Sequence, residues 1–439
     1  MFKTIRDAFK VKEIRNGLIF TFFILIIVRL GSAIPTPGID VSKVSGFLKD
    51  NLGEGAGALL SSFTGGSFEK MSIFALSVTP YITSSIIIQL LTIAIPALEE
   101  MQKDGADGRK KMTAITRVVS VALAIIESIG LSVGFGRSGL LYNYNFLSVA
   151  VIVITLTAGS TFIMWLGERI TERGIGNGIS IILLINIVSR MPGDFYNLYE
   201  MFVKGKPTVN MIIAASIIIA IVVITTVLTI ILNDAERRIP VSYAQKVQGR
   251  RQVGGSSSHI PLKVNTGNVM PIIFASTLMS IPSIVKNLFS IEVKSSVGNK
   301  ILEGMNTNYW FRPGYPWAYI GLAVYILLVF FFAYFYTSIS FNPMEVANNL
   351  KKQGGFVPGI RPGKATQDYL NKILNYIVLI GAIGLIIVAI IPIFFNGRFS
   401  ADVSFGGTSL IIICGVIIET VKQIESKMIV RNYSGFLNS

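Results

Sequence analysis

Residues 209–232 read VNMIIAASIIIAIVVITTVLTIIL, a predominantly apolar run that contains no charged side chain. A helix rises about 1.5 Å per residue, so a run of this length crosses the roughly 30 Å hydrocarbon core of a bilayer. Similar runs recur along the 439-residue chain, in which 51% of residues are hydrophobic and only 14% are charged. This composition is typical of polytopic membrane proteins and excludes an ordinary soluble globular fold.

Ten apolar runs predict about ten transmembrane helices and therefore an all-α polytopic membrane protein. The runs cover residues 17–35, 72–94, 117–134, 147–166, 179–189, 209–232, 269–285, 317–337, 373–395 and 407–421. Because their number is even, both chain ends lie on one side, and lysine and arginine are concentrated in the segments of that side. The positive-inside tendency then places both termini in the cytoplasm.

The fifth and tenth runs, 179–189 and 407–421, look too short to cross the bilayer and hold matching positions in two sets of five. The sequence GISIIL at 178–183 also aligns with GTSLII at 407–412, although such short matches arise by chance in apolar sequence. Short segments at matched positions are typical of a duplicated transporter or channel. With five spans in each half, the halves are inverted relative to each other.

The duplication predicts two halves. Residues 1–192 hold an amphipathic N-terminal helix on the cytoplasmic membrane surface, spans one to five and an external segment at about 53–66. Residues 193–439 hold spans six to ten, cytoplasmic loops at 233–268 and 340–372, and a cytoplasmic tail.

The chain offers little for catalysis or metal binding. One cysteine, Cys414, and one histidine, His259, exclude an internal disulfide and the usual Cys/His metal cluster. Arg29 and Glu127 are the clearest charges inside the expected spans, whereas an ion-coupled carrier keeps a set of charges near the midplane. We therefore expect no enzyme activity, no cofactor and no metal. A secondary transporter of a small solute is the main alternative, since it shares inverted repeats, and a membrane-embedded enzyme is the other.

Bulky aliphatic side chains occupy comparable depths in the second, fifth, seventh and tenth spans. If these spans surround one axis, the side chains form an apolar collar, which excludes water and ions by dewetting but makes no specific contact with passing cargo. The alternative is that they face lipid or a neighbouring helix, as most isoleucines of membrane helices do. The candidates are Val78, Ile82, Ile179, Leu183, Ile273 and Ile412.

Small residues dominate the external segment 53–66, which is too short and glycine-rich to span the bilayer. Glycine permits hinging and small side chains permit close packing. The segment is either a short movable helix folded back into a cavity or an ordinary external loop.

The two long basic loops, 233–268 and 340–372, carry candidate docking residues. A glycine turn presents Arg250 and Arg251, and a turn stiffened by proline and glycine presents Arg361. Guanidinium groups held in this way suit phosphate or carboxylate partners such as an RNA backbone or an acidic protein surface. Solvated loops that only set the topology are the alternative.

Seven motifs, in order along the chain, carry a resemblance to one family. They are PTPG at 35–38, PYITSSIIIQL at 80–90, ERGIGNGIS at 172–180, SHIPLKVN at 258–265, FNP at 341–343, PGIRPG at 358–363 and FGGTSL at 405–410. Together they make the chain resemble the SecY family, the channel-forming subunits of the Sec protein translocon in the cell membrane. The resemblance implies an hourglass channel of two inverted halves.

The resemblance also assigns roles to the candidate residues. It implies that the six aliphatic residues form a pore ring, and that the external segment is a plug, with Gly57, Leu60, Phe63 and Gly65 as plug residues. It places Thr83, Thr277 and Pro282 at a lateral gate, and it makes Arg250, Arg251 and Arg361 a docking site for the ribosome or the SecA ATPase. The implied partners are SecE, SecG, SecA, the ribosome, signal peptides, nascent chains and membrane lipids. Residues 286–316 receive no role.

Overall fold

The computed structural model describes residue 6 and residues 9–51, 64–202, 204, 208–243, 246–248, 251–253, 257–288, 295–399 and 407–437. Helices dominate these ranges, and a few short strands lie between them. In chain order the helices are α1 Lys12–Gly31, α2 Val41–Asn51, α3 Thr79–Ala94, α4 Pro96–Lys103, α5 Gly105–Arg137, α6 Phe146–Arg173, α7 Gly178–Phe202, α8 Thr208–Asp234, α9 Met270–Leu288, α10 Ser296–Met305, α11 Ala318–Ser340, α12 Pro343–Lys352, α13 Lys364–Phe399 and α14 Gly407–Leu437. The strands are β1 Glu236–Tyr243, β2 Lys246–Gln248, β3 Arg251–Val253, β4 Ser257–Lys263 and β5 Gly355–Phe356.

Each of the ten apolar runs coincides with a helix. Within the described ranges, seven helices are long and apolar enough to cross a membrane, and the pair α3 and α4, bent by 109°, makes eight if it is one broken span. The apolar segment Met270–Pro282 of α9 is shorter. The prediction of an all-α polytopic membrane protein is confirmed.

The prediction that the fifth span is short is wrong, because α7 continues from Gly178 to Phe202 and its residues Gly178–Glu200 are long and apolar enough to cross a membrane. Helix α14 also continues beyond its apolar run, from Gly407 to Leu437, but it is not among the seven candidate spans of the described residues, so the shortness of the tenth span stays a prediction. The apolar run of α7 ends at Arg190, which is a good helix former and whose guanidinium pairs with Glu69 at 2.7 Å. Ile424 of α14 belongs to a buried cluster with Ile14 and Ile175.

The second span begins later than expected. Helix α3 starts at Thr79, with Pro80 in its first turn, where a missing backbone N–H has no cost. Residues 65–78, which the hydropathy pattern partly assigned to this span, form successive turns held to the chain after α1 by a bridge between Pro35 and Ser72. At the N-terminus, Lys12–Arg15 open α1 rather than belonging to a separate surface helix.

The two basic loops form one unit. Strands β1 and β4 pair antiparallel from Glu236 opposite Lys263, and β5, from the second loop, pairs with the other edge of β1, with Ser242 opposite Phe356. Buried Ile239, Val241, Leu262, Leu350 and Val357 join this sheet to α12. We call the face of the molecule that carries it the sheet side.

One apolar cluster connects the two predicted halves. It contains residues of α1, α6, α7, α9, α11, α13 and α14, among them Val28, Ile182, Ile272, Tyr325 and Ile411, which are all fully buried. Residues of α3 and α7 that precede residue 193 therefore share their core with α9 and α14, which follow it. The candidate site lies in this cluster.

Candidate functional site: an apolar constriction above a polar cavity

Polar contacts set the position of Val78 at the start of α3. Ser77 adopts a left-handed backbone conformation, with φ at +49°, and its neighbour Val78 is 1% exposed. The Ser160 hydroxyl of α6 donates to the Ser77 carbonyl at 3.1 Å, and the Asn186 amide of α7 donates to the Ser77 hydroxyl at 3.0 Å. The start of α3 is thus tied to two helices by buried hydrogen bonds.

Close packing of α6 and α7 sets the position of the first two α7 candidates. A Cβ built on Gly167 would come 2.5 Å from Cδ1 of Ile179, so the tip of Ile179 rests against α6. A Cβ on Gly178 would collide with the Gly167 carbonyl, so the two backbones touch. Leu183, one turn further along the same side of α7, is 5% exposed.

Helices α9 and α14 contribute Ile273 and Ile412, which are 6% and 2% exposed. Asn268, just before α9, has a left-handed backbone with φ at +51°, which asparagine tolerates better than most residues. Its side-chain oxygen packs against Gly415, where a Cβ would come within 2.7 Å of it. This close approach holds the start of α9 against α14.

A cavity of about 330 Å³ lies on the sheet side of these residues. Its rim is polar and its floor is aliphatic. The rim includes an ion pair between Lys422 and Asp234 at 2.8 Å, and the nearby Asn265 amide donates to Asn233 at 2.8 Å. The residues that line the cavity include Asn177, Lys263, Asn268, Tyr336, Glu419 and Lys422 on the polar part, and Leu183, Ile273, Ile412 and Val416 on the apolar part.

The wall of the cavity passes from polar to aliphatic residues. Along α14 it runs from Lys422 to Ile412, a rise of about 15 Å at 1.5 Å per residue. A space that ends on bulky aliphatic side chains admits water at its polar end but resists its passage beyond the aliphatic end, because a narrow apolar constriction dewets.

The structure brings all six ring candidates into one contiguous apolar cluster. Val78, Leu183, Ile273 and Ile412 are buried members, and Ile82 and Ile179 pack against it partly exposed. Leu183, Ile273 and Ile412 line the cavity floor. The tip of Ile179 instead contacts α6, so of the two α7 candidates Leu183 is the one that lines the cavity.

The gate candidates lie on helices that approach across the two halves. Thr83 and Thr277 are half-buried on α3 and α9, and Pro282 lies inside α9. Helix α5 packs against α9, and the Gln89 side chain of α3 interacts with the Tyr336 hydroxyl of α11. Contacts between these helices therefore connect residues that precede and follow residue 193.

Of the plug candidates, Gly57, Leu60 and Phe63 lie outside the described residues. Gly65 is buried with φ at +64°, and a Cβ built on it would come 2.8 Å from Nη1 of Arg29 and 2.9 Å from Cα of Asn186. Only glycine permits this conformation and this approach without strain. The C-terminal end of the predicted plug segment is thus held between α1 and α7.

The docking candidates differ in what the structure describes. Arg250 lies outside the described residues, and Arg251 begins strand β3. Arg361 is exposed in a turn whose neighbours Gly359 and Gly363 have φ at +83° and +103°. The Thr366 hydroxyl donates to the Arg361 carbonyl at 2.9 Å, which holds the turn to the start of α13.

Sequence reasoning missed the polar residues that position the constriction. Ser77, Ser160 and Asn186 make the buried hydrogen bonds described above. Asn186 interrupts an otherwise apolar run, and a polar side chain at membrane depth is costly unless it has a partner. The sequence therefore contained a signal that Asn186 needs a hydrogen-bond partner, but it did not indicate that this partner is Ser77.

Comparisons with known proteins agree over nearly the full length. The SecY family model matches residues 72–421. The protein translocase subunit SecY of Streptomyces scabiei is 42% identical over 98% of this chain and 98% of its own.

Two solved structures share the fold, each covering 97% of both chains. A SecY channel, whose plug domain is reported to stabilise the closed state and maintain a membrane seal, superposes with a TM-score of 0.65 at 16% identity. Sec61 in a canine ribosome-channel complex superposes with a TM-score of 0.63 at 17% identity. Neither likeness favours the solute-transporter alternative. The family match and the full-length relative show that this chain belongs to the SecY family of protein translocase subunits.

Proposed function

We propose that this chain forms the channel through which unfolded, signal-bearing polypeptides cross the membrane and membrane proteins enter it sideways. The observation that carries the proposal is a cavity with a polar part and an aliphatic end lined by Leu183, Ile273 and Ile412. A polar vestibule admits an extended chain, and an aliphatic constriction closes around it without reading its side chains. Such a site needs no catalytic group, and we expect the channel to have no enzymatic activity.

The pore ring consists of these three residues together with Val78 and Ile82 from α3 and Ile179 from α7. All six belong to the apolar cluster or pack on it. Their side chains hold the resting seal, and a passing polypeptide replaces the contacts that they make with one another. The shared core of α3, α7, α9 and α14 is what we expect of two inverted halves that meet at the pore.

The lateral gate opens between α3 and α5 on one side and α9 and α11 on the other. The support is the packing of α5 on α9 and the interaction between Gln89 and Tyr336. A signal helix that wedges this seam exchanges helix contacts for contacts with itself and lipid. Hydrophobic segments then partition sideways, since transfer to the bilayer centre is worth about −0.5 kcal/mol for Leu and costs about 3 kcal/mol for Arg.

The sheet side is the cytoplasmic side, with both termini there, in the cell membrane. It carries exposed Arg237, Arg238 and Arg361, which supports a docking surface for the ribosome or SecA that also includes Arg250 and Arg251. Structural neighbours of this fold include ribosome-bound channels. SecE and SecG complete the proposed complex, and SecA supplies the energy for export.

Reconstitution of the purified complex tests the proposed function. Proteoliposomes that contain it, supplied with SecA, ATP and a signal-bearing precursor, are expected to protect the precursor from added protease. Protection without ATP, or uptake of a small solute with no effect on precursor, would contradict the proposal.

Glycine substitution tests the ring separately. Replacing Leu183, Ile273 and Ile412 together removes the aliphatic floor and is expected to raise the resting ion conductance in planar bilayers. The matched control replaces Val188, Ile281 and Ile417, which lie on the same three helices but are 36%, 43% and 44% exposed. Both triple variants carry the same helix cost of about 1 kcal/mol per glycine, so only the position differs. Equal conductance of the two variants would show that the constriction lies elsewhere.

A further inference from the structure

Helix α10 belongs to the segment 286–316, for which the sequence indicated no role. It follows α9 on the side opposite the sheet, and it packs against both α9 and α11. A Cβ on Gly321 would collide with the carbonyl oxygen of Gly304, so α10 touches the backbone of α11 within its first turn. The membrane-spanning part of α11 begins at Ala318. Helix α10 therefore lies at the level where α11 enters the membrane.

Aromatic residues fasten α10 at this level. Trp310 is fully buried, and its indole N–H donates to the Gly304 carbonyl at 2.7 Å. Trp317 donates to the Glu303 carboxylate at 3.0 Å, and the Lys300 ammonium lies 5.3 Å from the Trp317 ring centroid. Tryptophan and tyrosine concentrate where a membrane protein crosses the headgroup region, because their rings are apolar and their polar atoms need partners.

Two apolar side chains of α10 face away from the protein. Val297 and Ile301, one turn apart, are 65% and 58% exposed. At the same level on α11, Tyr319 and Ile320 are 53% and 69% exposed on its membrane-facing surface. A helix of 10 residues offers little area beside the roughly 800 Å² per partner of a standard protein interface. Its exposed side chains lie beside the first turn of α11, where a candidate membrane span begins.

We infer that α10 lies in the membrane interface opposite the sheet side, with Val297 and Ile301 immersed between the lipid headgroups and the acyl chains. Ser296 and Lys300, on the adjoining strip of the helix, face the headgroups, where a lysine extends its ammonium toward phosphate. The short helix thereby ties the far ends of α9 and α11 to the membrane surface. This placement does not depend on what the channel conducts.

Fluorescence quenching in the full-length complex tests the inference. Two variants are reconstituted into liposomes and then labelled with an environment-sensitive dye. The test variant is Ile301→Cys, and the matched control is Ser296→Cys. Cys414 is buried, so the unsubstituted chain gives the background labelling. The samples receive lipids brominated near the glycerol end of the acyl chains or, separately, aqueous iodide.

We expect the Ile301 dye to be quenched by the brominated lipids about twofold more strongly than the Ser296 dye, with the order reversed for iodide, since an interfacial helix buries its apolar face about 5–10 Å. Quenching of the Ile301 dye by iodide alone would place α10 in water and overturn the inference. Protection of this dye from both quenchers would show that a protein covers the helix, and would overturn it too.

Discussion

Replacing Gly65 by alanine is expected to loosen the C-terminal end of the proposed plug segment. Gly65 and Gly66 both have left-handed backbones, with φ at +64° and +80°. Alanine in this conformation costs about 1–2 kcal/mol at either position. A Cβ at Gly65 would in addition lie 2.9 Å from Cα of Asn186, whereas a Cβ at Gly66 meets nothing within 4 Å. Gly66→Ala is therefore the matched control.

The extra cost at Gly65 follows from this geometry. An ordinary carbon contact begins at about 3.4 Å, so the turn must move away from α7 by roughly half an ångström or more. Overpacking of this kind costs about 1–3 kcal/mol. If the sealed and unsealed arrangements are in equilibrium, this difference raises the unsealed population about 5- to 150-fold relative to Gly66→Ala.

Ion efflux from proteoliposomes measures this difference. We expect Gly65→Ala to leak ions in the absence of precursor, and Gly66→Ala to stay close to the unsubstituted chain. The thermal unfolding temperature in detergent is expected to be lower for both variants than for the unsubstituted chain, and lower for Gly65→Ala than for Gly66→Ala. Equal leak and equal thermal stability of the two variants would refute the reasoning, because the close approach to Asn186 would then have no energetic weight.

Two more predictions concern charged residues. Arg190→Glu sets two carboxylates against each other at the Glu69 contact and is expected to raise the resting ion leak. The double variant Glu69→Arg with Arg190→Glu is expected to return the leak to that of the unsubstituted chain. A double variant that leaks as much as Arg190→Glu alone would contradict a role for the ion pair. Arg361→Glu is expected to weaken ribosome co-sedimentation about tenfold or more, since charged hydrogen bonds contribute about 1.5–3 kcal/mol, whereas Lys352→Glu, exposed at the end of α12, serves as the control for a general charge effect. Equal losses for the two variants would indicate attraction by the basic surface as a whole.

Much of the architecture was predictable from the sequence because the bilayer imposes it. A segment that crosses hydrocarbon must be apolar and helical along its length, so each apolar run predicts a helix without information from the rest of the chain. The wrong predictions concern the end of α7 and the start of α3, where the chain leaves the hydrocarbon and the requirement for an apolar helix no longer holds. Past Ser189 the hydropathy falls, but α7 continues, because arginine is a good helix former and Arg190 also pairs with Glu69. Before Thr79 the chain is apolar, but it forms turns.

Hydropathy does not distinguish a side chain that faces lipid from one that faces a pore or a neighbouring helix. Ile179 and Leu183 look alike in the sequence, yet the first packs its tip on Gly167 and the second lines the cavity. Only the approach of α6 to α7 decides between them. The same is true of Val297 and Ile301 on α10, whose exposure depends on which face packs against α11.

By itself, the sequence determined the membrane class, the positions of the spans and the family, since these depend on local composition and on motifs read in order. The tertiary structure alone decided which aliphatic residues meet at the cavity floor, that loops 233–268 and 340–372 share one sheet, and that Asn186 bonds to Ser77. The physical reason is that these contacts join residues far apart in the chain. Their formation depends on how whole helices pack, which no single segment encodes.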